Sequence, residues 1–141
     1  MKDAAASGYL LWCLLGLFCL RVVGQLVVVL HKPRWLPPMP EWYSGLVPYR
    51  ILLPIQAVFI IVMGLVAHGL TSNQGVFAVP NPALGRVVIW SSCAYAATMV
   101  VRYAVRMARR PDQRWFGGTI PIIFHLVLAA FLYVFGSFHA R

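Results

Sequence analysis

Residues 31–50 read HKPRWLPPMPEWYSGLVPYR and stand between two long apolar runs, unlike either of them. Five of the ten prolines fall here (Pro33, Pro37, Pro38, Pro40 and Pro48), so no regular helix or strand can cross the stretch. Trp35, Trp42, Tyr43 and Tyr49 supply amphipathic rings of the kind that settle at lipid headgroups, and His31, Lys32, Arg34 and Arg50 supply positive charge. The stretch reads as a structured cap on a membrane surface that closes one end of a helical bundle.

Outward from this connector the chain divides into four apolar runs, at residues 9–30, 51–70, 85–106 and 119–138. At about 1.5 Å of rise per residue, each is long enough as a helix to cross a hydrocarbon core of about 30 Å. Backbone exposed to lipid must satisfy its own hydrogen bonds, so the runs should be helices rather than strands. The first run is too long for a signal-peptide core, carries Arg21, and precedes no small-residue cleavage site, so it reads as a span. The expected fold is an all-α integral membrane protein: one domain over residues 1–141, a four-transmembrane-helix bundle with the proline- and aromatic-rich cap between helices one and two.

Composition agrees. Hydrophobic residues make up 61% of the chain and charged ones 11%, where a soluble domain has about half and about a quarter. The net charge of +9 would suggest nucleic acid in a soluble protein. Here the basic residues flank apolar runs, which instead indicates topology and anionic lipid headgroups. Lys32, Arg34, Arg50, Arg102, Arg106, Arg109, Arg110 and Arg114 lie on the side of the first and third loops, against Lys2, Arg86 and Arg141 on the other. The positive-inside rule then places the basic loops in the cytoplasm and both termini on the non-cytoplasmic side of a multi-pass, inner-membrane type of protein.

Polar groups inside a membrane are expensive, which makes each a candidate for function. Measured from the cytoplasmic face, Arg21 lies about 14 Å deep, Gln25 and Gln56 about 8 Å, Arg102 about 6 to 8 Å and His125 about 10 Å. Each helix therefore offers a polar side chain at nearly one level, and Tyr103 adjoins the stripe of Thr98, Arg102 and Arg106. If the faces converge, they form a polar pocket roofed by Trp35, Trp42 and Tyr43. No Asp or Glu lies in any span, so Arg21 and Arg102 have no counter-ion within the spans of their own chain. Arginine does not neutralise by losing its proton. Arg102 can snorkel to the headgroups, whereas Arg21 is too deep and needs a specific partner. The third span is rich in small residues (Ser91, Ser92, Cys93, Ala94, Ala96, Ala97, Thr98) and is expected to be the most enclosed helix.

Other chemistries find little footing. Cys13, Cys19 and Cys93 show no disulfide or zinc spacing. His125 stands alone in its helix, and neither His31 with His125 nor His68 with His139 has the spacing of a haem motif. There is no membrane carboxylate for proton-driven cation export, no hydrolase set and no phosphate loop. In length, external termini and basic cytoplasmic side, the chain resembles in layout the small four-helix membrane glutathione transferase and leukotriene synthase group. That resemblance implies an enzyme holding an anionic cofactor near the cytoplasmic face. The arginine, asparagine and glutamate motif of that group has no counterpart in residues 50–56, RILLPIQ, so no catalytic residue carries over.

Three expectations follow. The first is a binding protein for an amphipathic ligand with an anionic or carbonyl-bearing headgroup, a lipid or a quinone, held by Arg21, Gln25, Gln56, Arg102, Tyr103 and His125. The second is an accessory subunit of a larger membrane complex or a homo-oligomer, with Arg21 paired to an acid of a partner chain. The third is the glutathione-transferase-like enzyme.

Overall fold

The computed structural model describes residues 2–42, 47–113 and 118–141. Among these residues it is helical, with no strand: α1 (Lys2–His31), a single turn α2 (Met39–Trp42), α3 (Tyr49–Ser72), α4 (Pro82–Arg109) and α5 (Thr119–His139). Short 3₁₀ turns occupy Val76–Ala78 and Pro111–Gln113. The four long helices are long and apolar enough to cross a membrane.

Local chemistry sets the helix ends. Helix α1 begins at Lys2 rather than near residue 9, because Ala4, Ala5 and Ala6 favour helix more than any other residue type. Helix α4 begins at Pro82, three residues before its apolar run: the Asn81 side chain accepts from the Leu84 N–H at 3.1 Å, and Pro82 fills the first helical position. Helix α3 ends in a Schellman motif. Asn73 takes the left-handed conformation, its N–H meets the Leu70 carbonyl, and the Gln74 N–H meets the Gly69 carbonyl. Pro121 falls in the first turn of α5, where no intrahelical bond is lost, whereas Pro54 lies one turn further into α3 and leaves the Arg50 carbonyl without its usual donor.

The helices pack in the order α3–α1–α5–α4, and no extended contact joins α3 to α4. The core lies along α1: Leu11, Leu15, Phe18 and Val22 pack with Met63, Val66, Ala67 and Leu70 of α3 and with Phe131 and Phe138 of α5. The third span is thus the least enclosed helix rather than the most enclosed. Of its most apolar window 11% is buried, against 22 to 33% in the other three. The reason is that its small residues serve one neighbour only. Gly85 and Ser92 are buried at the crossing with α5, where Gly136 sits so close to Ile89 that an added Cβ would lie 3.0 Å from the Ile89 backbone nitrogen. Ser91, Cys93, Ala94, Ala97 and Thr98 face away and are exposed.

The far end of this row is closed by the α3–α4 loop. The Asn81 N–H donates to Nδ1 of His139 at 3.2 Å, and the His139 ring is packed edge-on by Phe135 and Phe138. His139 is buried, while His68 is exposed.

Replacing Gly85 with Val should destabilise the α4–α5 crossing by about 1 to 3 kcal/mol, because the new side chain meets the Ala140 backbone. Gly16 has open space around it, so Gly16→Ala should be neutral or stabilising. Reversible unfolding of both variants in mixed micelles measures the contrast.

Candidate functional site

The site begins at Arg21, two-thirds of the way along α1 and buried to 8% exposure. One Nη donates to the Trp42 carbonyl at 3.2 Å, and the guanidinium carbon stands 5.7 Å from the centroid of the Phe124 ring. Its Nε is buried with no hydrogen-bond partner. Arginine's charge is therefore met here by a backbone dipole and an aromatic face, and among the described residues by no carboxylate. The acceptor is a backbone carbonyl of α2, whose partial negative charge suits a cation.

The connector is folded to deliver that carbonyl. The Trp42 indole N–H donates to the Pro37 carbonyl at 2.9 Å, closing the proline-rich turn on itself. The indole packs against Gly24 of α1, where a Cβ would come within 2.6 Å of the ring. Glu41, one residue earlier, accepts from the Gly118 N–H at the start of α5, a favourable place for an anion. The turn α2 thus ties α1 to α5 at the same level as Arg21.

Beside Arg21, Gln25 and Gln56 form the second polar feature. Both are buried, and Gln56 Nε2 donates to Gln25 Oε1 at 3.1 Å. The Gln25 Nε2 and the Gln56 Oε1 have no partner. The pair keeps one donor and one acceptor in reserve, an arrangement suited to a carbonyl or a hydroxyl. A third feature is the hydrogen bond between the Tyr95 hydroxyl and Nδ1 of His125, with the rings edge to face at 5.8 Å.

A cavity of about 290 Å³ joins these groups. Arg21, Gln56, Arg102 and His125 line it, one from each long helix, among Phe18, Ile55, Phe59 and Phe124. It lies at the small end of the range for ligand pockets, about 300 to 1,000 Å³. Its α3 and α4 walls do not pack on each other, so the cavity is open between them. Gln25 reaches it through Gln56. Tyr103 is turned away, in a groove with Thr119, Ile123 and Leu126. Trp35 is 80% exposed and covers nothing. Trp42 acts through its carbonyl and by filling space over Gly24. Tyr43 lies outside the described residues.

Sequence reasoning passed over Tyr95, Phe124 and Glu41. Tyr95 was within reach, because it stands seven residues before Arg102 and so shares its stripe on α4. Phe124 and Glu41 depend on how α2 and α5 meet, which no periodicity reports. No group of three or more His, Cys, Asp or Glu that could hold a metal ion occurs among the described residues. No protein-family model, curated protein or solved structure matches this chain.

The half-bonded glutamine pair gives a clear expectation. Gln56→Leu leaves Gln25 wholly unpartnered and should cost about 1 to 3 kcal/mol, while Gln25→Leu with Gln56→Leu together should cost less than the single change. A double-mutant cycle on unfolding in micelles reads the difference.

Proposed function

We propose that this is a multi-pass membrane protein that binds an amphipathic ligand with an anionic or carbonyl-bearing headgroup, a lipid or a quinone, in the cavity lined by Arg21. The observation that carries this reading is Arg21 itself. It is a permanent cation buried in an apolar helix row, partnered among the described residues by a carbonyl and a ring, with one nitrogen unbonded. A headgroup oxygen in the cavity would supply the missing acceptor. Arg102 on the opposite wall adds a second positive charge, and the free donor and acceptor of Gln25 and Gln56 suit a carbonyl or hydroxyl. His125, held by Tyr95, orients the group from α5. The gap between α3 and α4 provides lateral entry from the bilayer, which suits a ligand that arrives dissolved in lipid.

The charge asymmetry of the loops orients this arrangement, with the connector and the α4–α5 loop in the cytoplasm and both termini outside. The cavity then lies in the cytoplasmic leaflet, within reach of headgroups.

A second reading, an accessory subunit of a membrane complex, draws support from α4. That helix packs on α5 alone and turns Ser91, Ala94, Ala97 and Thr98 outward, residues that permit close approach of another helix. In that reading an acid of a partner chain reaches Arg21.

Native mass spectrometry of the protein gently extracted from its own membrane separates the two. A retained small molecule of lipid or quinone mass, lost in Arg21→Leu while helicity and monodispersity persist, supports the binding protein. Retention of the same molecule by Arg21→Leu would sink it. A companion chain without a small molecule supports the subunit reading.

A further inference from the structure

Beyond the Arg21 cavity, the connector end holds a second and larger space of about 710 Å³, walled by α4, the start of α5 and α2. Arg102, Arg106, Arg109 and Arg110 all line it. The first three recur at i, i+4 and i+7, which sets them on one helical face. Like charges so spaced repel and weaken the helix that carries them. The acid that lines the space is Glu41, and its carboxylate is bonded to the Gly118 N–H. Among the described residues no ion pair joins these arginines to a carboxylate. The Arg106 guanidinium lies against Gly118, so an added Cβ there would come within 2.7 Å of an Nη, and it adds its charge to the positive end of α5.

We infer that this cluster is a binding site for a phosphate group carrying two negative charges, a terminal phosphomonoester or diphosphate. Guanidinium forks match phosphate oxygens in pairs, and several guanidiniums around one space suit an anion with three or more acceptors better than a carboxylate with two. The same space is walled by Val101, Val105 and Ile122, with Val101 and Val105 exposed on α4. This apolar strip continues from the arginines along the helix, where an acyl chain attached to the phosphate would lie. The inference rests on the membrane reading above but not on the Arg21 cavity: the two spaces share Arg102 and Pro121, and neither Arg106 nor Arg109 lines the Arg21 cavity.

The test uses the full chain in phosphatidylcholine–detergent micelles, with native mass spectrometry of bound lipid. Phosphatidic acid, whose phosphate is a monoester, is compared with phosphatidylserine, whose phosphate is a monoanionic diester. Retention of phosphatidic acid should exceed that of phosphatidylserine by about tenfold or more. The preference should vanish in Arg106→Gln/Arg109→Gln and persist in Arg21→Leu. Arg109→Gln alone, at an exposed position that folding does not need, should already reduce it. Glycerol 3-phosphate has the same headgroup without tails. Its success as a competitor would assign the site to soluble phosphates and its failure to lipid, and either upholds the phosphate site. Equal retention of the two lipids, a preference unchanged in both arginine variants, or a preference abolished by Arg21→Leu would overturn it.

Discussion

A guanidinium set in an apolar layer needs partners, and the absence of any acid from the four apolar runs decides what they are. Arg21 takes the Trp42 carbonyl on one side and the Phe124 ring on the other. Residues 37–42 of the connector are arranged so as to deliver that carbonyl. Lys32, in the left-handed conformation, and Pro33 stop the chain from continuing α1. The turn α2 presents the Trp42 carbonyl, and the Trp42 indole fixes the turn by bonding Pro37 and packing against Gly24. Glu41 then fastens the turn to α5. The proline-rich stretch is a clamp built around one cation, more than a lid over a pocket.

This explains which parts of the architecture were legible in the sequence. The four apolar runs were plain, because length and hydropathy alone define them. Their boundaries depended on capping chemistry that was also written there: Asn81 and Pro82 announce α4, and the alanines after Asp3 extend α1. Helix rise put Gln25, Gln56, Arg102 and His125 at one expected level with Arg21 deeper, and the structure brings Arg21, Gln56, Arg102 and His125 to one cavity. Their facing could not be read, because one sequence fixes the stripe on a helix but not the neighbour it meets. The same ambiguity misjudged α4. Its small residues permit close packing on every side, yet the chain supplies one partner, α5, and the rest of that surface stays open. Among the connector aromatics, sequence could not tell Trp35, which stands exposed, from Trp42, which is buried on Gly24.

The open packing order has a physical consequence. With α1 between α3 and α5, and α4 leaning on α5, the row curves around the Arg21 cavity without closing it. A closed bundle of this size would fill its axis with side chains. Here Ile55 and Phe59 of α3 remain partly exposed along the gap. On the membrane reading no hydrophobic force draws α3 and α4 together, since hydrocarbon chains solvate both equally well. The gap can therefore persist as a stable feature of the fold, which it could not in water.

Arg102 stands on the boundary between the two spaces and gives the connector end its continuity. From Arg109 and Arg110 at the rim, through Arg106 against Gly118, to Arg102 and then Arg21, positive charge extends from the helix ends into the apolar interior. An uncompensated gradient of this kind is costly to fold, because each guanidinium raises the energy of the next. Glu41 offsets part of it at the α5 terminus, and the Trp42 carbonyl offsets part of it at depth. What remains is a positive potential directed inward between helices, and on the proposed reading an anionic headgroup with an apolar tail complements it. The exposed apolar strip beneath the arginines and the lateral gap beside Arg21 are the two routes by which such a tail could be accommodated without displacing a core side chain.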